Sequence, residues 1–289
     1  YMLVRQQNYQ VYPANATNRP LCASYMLLKL LKKTMKRITK AIIAIAAGIA
    51  ALAAVSCSKD NTIRYNNATM GNVVNGKFTS DQGNIFNVAE QNCAGKLDTM
   101  KRAFIICDVL SQSEGSATEY DIRLNYLAPV MTKNAILASE ITEENKPAND
   151  PILLQSYWVS GGYINIYLAV PVVSDSKIKH TIDFLYEDTA KADGTYTFQL
   201  RHNCNGEVFN ESNESKITFA YAYASVPVTS IIKEDNARIT LKWLNYKVAG
   251  NAVVLSETIE LKGEMLYSSD TYQQVPAEAL VSRSALALE

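Results

Sequence analysis

The sequence predicts an all-β protein, a small barrel followed by an antiparallel β-sandwich, behind a cleaved signal peptide. Three observations predict it. Apolar and polar side chains alternate with period two through most of the second half, as in Tyr163-Ile164-Asn165-Ile166-Tyr167-Leu168, the spacing of a half-buried strand. Turn clusters such as Asp193-Gly194 and Gly115-Ser116 separate these runs, and strands punctuated in this way pair as antiparallel hairpins. Near the start, an uncharged stretch follows a short cationic one with no acidic residue before it, the order of a secretory signal.

Charge separates the leader from the body. The 289 residues hold 28 Lys+Arg and 28 Asp+Glu, a formal net charge of zero. Eight of the basic residues (Arg5, Arg19, Lys29, Lys32, Lys33, Lys36, Arg37 and Lys40) and none of the acids fall within residues 1–56. The other 20 basic residues therefore face all 28 acids, and the body carries −8. Such a body lacks the basic surface that grips phosphates, which argues against a nucleic-acid partner. Met35 opens the best-formed leader. Lys36, Arg37 and Lys40 supply its cations, and residues 41–55 form an uncharged run of 15, shorter than the roughly 20 residues of a spanning helix. Ala54-Val55-Ser56-Cys57 then closes the run. This ending resembles a bacterial lipobox, where a peptidase cuts before a lipid-modified cysteine. Ser56 and Cys57 fit, while Ala54 stands where Leu is usual. An ordinary signal peptide with an incidental cysteine, or a retained membrane helix, is the alternative. The lipobox reading assigns residues 1–34 to an upstream extension, 35–56 to a lipoprotein signal peptide and 57–61 to a lipidated tether. Acyl chains on Cys57 would then hold the protein on the membrane, with outer-membrane sorting expected and its face left open.

The elements follow in order. Residues 73–78 and 84–88 flank the turn cluster Ser80-Asp81-Gln82-Gly83 and read as a hairpin. Residues 101–110 and 119–126 read as further strands, the second placing Tyr120, Ile122, Leu124 and Tyr126 on one face. Several short strands in so few residues suggest a small barrel over residues 62–146. A polar, proline-bracketed stretch at 143–151 reads as a linker, and the sandwich is expected over residues 151–285. There Ile164, Ile166 and Leu168 oppose Tyr163, Asn165 and Tyr167. His180 opens a strand to Tyr186, and Tyr196, Phe198 and Leu200 follow the Asp193-Gly194 turn. Ile217, Phe219, Tyr221 and Tyr223 alternate with Thr218, Ala220, Ala222 and Ala224. Ile239, Leu241 and Trp243 form another strand, and Ile259 and Leu261 a last one. This pattern predicts one wet face per sheet. The tail after Tyr272 reads as a short helix at 276–288 or a frayed end.

Several of these runs carry a family likeness. Trp158-Val159-Ser160-Gly161-Gly162-Tyr163-Ile164-Asn165-Ile166, Lys179-His180 opening a strand, and Leu200-Arg201-His202-Asn203 closing one resemble the NigD-like lipoproteins of Bacteroidetes. The likeness covers most of residues 57–285. It is best in 155–223 and weaker in 62–146, where it rests on strand order and Asp81-Gln82-Gly83. It implies that the barrel is OB-like and the second domain a β-sandwich. It also implies a bacteriocin-immunity-like or accessory role, and it supplies no catalytic residue.

Candidate chemistry is sparse. The chain has two histidines, His180 and His202. With Asp183 or Glu187 they could hold a metal, but His-x-x-Asp on a strand sends the two side chains to opposite faces. Pinning strand ends or satisfying buried main chain is the expected role, with no metal and no cofactor. Cys93, Cys107 and Cys204 form no metal-binding or disulfide pattern, a Cys93–Cys107 bridge being the alternative. Nucleophile elbows, zinc-protease motifs and phosphate-binding loops do not occur in the sequence. Of 17 tyrosines, 13 follow residue 56. Tyr157, Trp158, Tyr163 and Tyr167 cluster as candidate binding residues for a protein or glycan partner, with core or cross-strand pairing as the alternative. A non-enzymatic envelope lipoprotein is therefore expected, protein-binding in the first reading and a surface glycan-binding or adhesion module in the second.

Overall fold

A computed structural model describes residues 10–11, 67–188, 190–209, 213–250 and 252–267. The leader strand apart, the segments before residue 67 and after residue 267 lie outside the described residues. These include Cys57, the tether and the 276–288 tail. Among the described residues all regular elements are strands, apart from single 3-10 turns at Leu97–Thr99, Ala138–Glu140 and Glu214–Lys216. No helix among the described residues is long and apolar enough to cross a membrane.

Strands β2 (Asn67–Val74), β3 (Lys77–Ser80), β4 (Ile85–Gln91), β5 (Arg102–Gln112) and β6 (Glu119–Thr132) lie in the order β4-β3-β2-β5-β6. A parallel pairing of β4 with β6, from Ile85 beside Glu119 to Gln91 beside Leu124, closes the barrel. Five strands with this closure are the OB-like arrangement. Phe78, Phe86, Ile105, Cys107, Ile122 and Leu124 fill the interior. Residues 73–78 are two strands and not one. Asn75 and Gly76 take left-handed φ of 52° and 75°, the two-residue turn that Asn-Gly favours because it matches the strands' twist. The face expected for β6 also changes along its length. Asn125 is an extra residue between the pairs Cys107–Leu124 and Ile106–Tyr126. This bulge re-aims the chain, so Leu124 enters the barrel while Tyr126 packs on its outside.

The second sheet holds β1 (Gln10–Val11), β14 (Ala252–Leu266), β13 (Arg238–Ala249), β11 (Thr195–Asn203), β10 (Thr181–Tyr186) and β7 (Ile136–Leu137), in that order. It faces β12 (Ile217–Pro227), β9 (Tyr163–Val173) and β8 (Leu153–Ser160) across a core that includes Ile164, Ile166, Leu168, Phe184, Phe198 and Leu241. These three strands are not separate from the barrel. The end of β6 pairs in parallel with β12, from Val130 beside Tyr223 to Thr132 beside Ser225. One eight-stranded sheet therefore runs from the barrel into the sandwich.

In the sheet of β12, β9 and β8 that continuity departs from the expectation of one wet face per sheet. On β12 the small side chains Ala222 and Ala224 face the sandwich core, opposite bulky Phe184 and Phe198. The aromatic residues point the other way, and that face is buried too. Tyr167 stacks on Tyr221 and Tyr223, and Tyr223 stacks on Phe104 of β5 at 4.5 Å. Cys93, Cys107 and Cys204 form no disulfide. Burial in the barrel, and then the neighbouring Asp108, push the Cys107 thiol up to about 12, which leaves it an inert core residue.

Candidate functional site

Two buried polar clusters stand out from the apolar interior, and both are built by residues far apart in sequence. The first lies where the barrel meets the sandwich. Arg102 opens β5 with its side chain almost fully buried, and Asp81 reaches it from the turn between β3 and β4. The guanidinium has five N–H donors, and each finds an acceptor. Nη1 and Nη2 donate to the two Asp81 oxygens at 2.7 Å each, a planar fork-to-fork pair. The remaining donors meet Asn72 Oδ1 at 3.2 Å, Asn165 Oδ1 at 2.9 Å and Ser225 Oγ at 3.1 Å. Ser160 Oγ donates to Asp81 at 2.6 Å and accepts from Asn165 Nδ2 at 2.9 Å, while Ser225 Oγ donates to Asn165 Oδ1 at 2.7 Å. The Tyr163 ring lies 3.9 Å from the guanidinium carbon and covers it. Gly161 is required beside this cluster. Its φ is 57°, and a Cβ there would stand 2.6 Å from the Asp81 carboxylate. Asp81 from one region of family likeness and Ser160-Gly161 from the other thus meet in one network.

The second cluster closes one end of the sandwich. Ile182 of β10 pairs with His202 of β11, which sets His180, just before β10, against His202. Their facing nitrogens, His180 Nδ1 and His202 Nε2, are 3.0 Å apart. The other nitrogen of His180 lies 3.0 Å from Glu207 Oε2, and that of His202 lies 3.3 Å from the Pro151 carbonyl. Asn205 and Gly206 turn the chain back after β11 with φ of 50° and 78°, which returns Glu207 to the histidines. Asp183, considered from sequence as a histidine partner, is on the other face of β10 and pairs with Lys133 at 2.8 Å. Among the described residues no group of three or more His, Cys, Asp and Glu side chains is arranged to hold a metal ion.

Burial, then the adjacent His180, push His202 down to about 4, with Asp150 and the Pro151 carbonyl opposing more weakly. The unfolded chain takes up a proton at His202 as pH falls through about 6.5, whereas the folded chain resists until about 4. The unfolded form therefore holds more protons across that window, and stability is lost as pH falls through it. The expected loss between pH 7 and pH 4 is about 3 kcal/mol from this group. Urea unfolding against pH checks it: His202→Gln should flatten the slope between pH 6.5 and 4, and an unchanged slope would contradict the assignment.

The four aromatic candidates do not form one open patch. Trp158 and Tyr167 are only 2% and 3% exposed, inside the aromatic cluster that joins barrel and sandwich. Tyr157 packs against Trp243 and over Gly263 of β14, where a Cβ would come within 2.3 Å of its ring. Tyr163 covers Arg102. Alternation placed Tyr163 and Tyr167 opposite the core correctly, but the barrel strands continue that face and close it. Arg102, Asn165, Ser225 and Glu207 were missed. The Asn205-Gly206 turn was the available signal for Glu207, and the isolated Arg in an otherwise apolar strand was the signal for Arg102.

Residues 135–256 match the family model of the NigD-like C-terminal beta sandwich domain. Among solved structures, a protein of unknown function from Bacteroides vulgatus is 17% identical, with 75% of this chain and 95% of that chain covered and a TM-score of 0.49. A NigD-like immunity protein from Bacteroides caccae is 18% identical, with 68% of this chain and 90% of that one covered and a TM-score of 0.48. No curated protein matches the chain.

Proposed function

We propose, from the match of residues 135–256 to the NigD-like C-terminal beta sandwich domain, that this chain is a non-enzymatic envelope lipoprotein of the NigD-like type with an immunity-like or accessory role exerted through protein–protein contact. The family match is the observation that carries the reading, an association by domain type. The chemistry of the interior agrees with it. The buried charged groups of the two clusters, Arg102 with Asp81 and His180 with Glu207, are engaged with one another and with neighbouring polar groups, Glu207 Oε1 excepted, as in a scaffold that presents a surface. The lipobox-like Ala54-Val55-Ser56-Cys57 supports anchorage at Cys57, with the outer membrane as the proposed location.

Two measurements test the proposal. Mass spectrometry of the mature protein should find an acylated Cys57 as the first residue and no peptide from residues 1–34. Deleting the gene should raise sensitivity to toxins of sibling strains, and an envelope protein captured on the purified body should be lost from that capture when the surface is altered. Unchanged sensitivity together with no envelope partner would sink the immunity-like role.

A further inference from the structure

The histidine cluster is a series of short polar contacts that ties two loops to the sandwich. The Pro151 carbonyl can only accept, so His202 Nδ1 carries a hydrogen. Three short links then run in series: His202 to Pro151, His180 to His202 at 3.0 Å, and His180 to Glu207 at 3.0 Å. Each link needs one hydrogen and has room for one. Three protons on the two rings and the carboxyl fill all three links, and any placement of them leaves the cluster neutral. A fourth proton, whether it doubles a link or sits on the unpartnered Glu207 Oε1, puts a net positive charge into a buried site. Removal of one sets two lone pairs against each other and leaves a net negative charge. Both changes are unfavourable where water is excluded.

The links join separate pieces of chain. His180 follows the exposed loop 174–179, and Glu207 belongs to the loop after β11. Pro151 leads the chain into β8. Asn205 Nδ2 donates to the Lys179 carbonyl, the Asp150 N–H to the His202 carbonyl at 2.8 Å, and the Cys204 N–H to Asp150 Oδ2 at 2.8 Å. Val208 at 61% exposure and Ile178 at 45% flank the buried relay. We propose that His180, His202 and Glu207 form a proton-counted latch that fastens the 204–209 loop and the 150–151 segment to the end of the sandwich, closed near neutral pH and opened by gain or loss of one proton.

Other titratable groups around the relay are few. Asp150 faces His202 from the segment before β8, Cys204 comes from the loop itself, and Tyr246 lies near both on β13. Burial raises Cys204 and Tyr246, so both stay neutral through the mildly acidic and neutral range. Lys179 is on the exposed loop. Asp183 and Arg201, paired across β10 and β11, alternate onto the opposite face.

Proton counting sets the shape of the response. An ordinary solvated imidazole takes up its proton near pH 6.5, so two solvated rings together hold about one proton more there than two neutral rings. The open form therefore matches the three protons of the closed form near pH 6.5, exceeds them below and falls short above. Protection of the Asp150, Cys204 and Glu207 amides against hydrogen exchange, corrected for intrinsic rates, should peak near that pH. It should fall by up to about tenfold per pH unit on both sides. In Glu207→Gln the amide fills the last link without a shared proton. Two neutral rings then suffice, and protection should rise with pH to a plateau with no alkaline fall. A flat or one-sided wild-type profile, or an alkaline fall that survives Glu207→Gln, overturns the latch. If Glu207→Gln fails to fold, the wild-type profile decides alone.

Discussion

Replacing Asp81 with Ala is expected to destabilise the folded chain by about 3–5 kcal/mol, the range for removing one partner of a buried ion pair. Most of that cost comes from the charge left uncompensated in the interior. Arg102 would remain a cation with its side chain buried, and the two N–H groups that meet the carboxylate at 2.7 Å would have nothing to replace it. Ser160 would also lose its acceptor. Arg102→Lys should be nearly as harmful, because an ammonium cannot reach five acceptors set in a plane. Adding Arg102→Met to Asp81→Ala removes the orphaned charge, so the double variant should be more stable than the Asp81→Ala single variant. Urea unfolding of these variants, with Arg102→Met alone completing the cycle, checks this. A double variant whose loss equals or exceeds the sum of the single losses would show that the carboxylate and the guanidinium are not coupled.

The strands themselves were legible because they are local. Ile164, Ile166 and Leu168 alternate with Tyr163, Asn165 and Tyr167, and β9 places them on opposite faces as period two requires. The Asp193-Gly194 turn carries its own chemistry, the Asp193 carboxylate accepting from the Thr195 N–H. Asn75-Gly76 carries an equally local signal, although the run around it reads as one strand by its apolar pattern. What could not be read locally is how the strands meet. Closure of the barrel by β4 and β6 pairs residues more than 30 positions apart, and no periodicity encodes it. Aromatics on the face away from the core resemble surface residues until β6 is seen to run from the barrel into pairing with β12. The histidine relay escaped sequence reasoning for the same reason. The acid nearest His180 in sequence is Asp183, on the strand that follows it, while the partner sits on a loop after the next strand.

Phe104 shows what that shared face contributes, and Phe104→Ala is expected to be destabilising by about 3–5 kcal/mol. Phe104 is fully buried on β5 and stacks on Tyr223 at 4.5 Å with the rings 15° apart. It also meets Tyr126 edge-on at 5.9 Å. Beyond Tyr223 the stack continues to Tyr167 and Tyr221, so one barrel residue supports an aromatic row that belongs to the sandwich. Truncation leaves a cavity lined by rigid rings, which relax poorly, and the cost lies at the upper end when a site cannot collapse. Phe104→Leu keeps most of the apolar volume but loses the stacking, worth about 0.5–1.5 kcal/mol per aromatic pair, and should fall between wild type and Phe104→Ala. The position of the ring also predicts where the loss is felt. If barrel and sandwich unfold together, as one continuous sheet implies, Phe104→Ala should lower the transition seen by far-UV signal and by sandwich amides by the same amount. Two separate transitions, with the sandwich untouched, would show that the aromatic row does not couple the two halves.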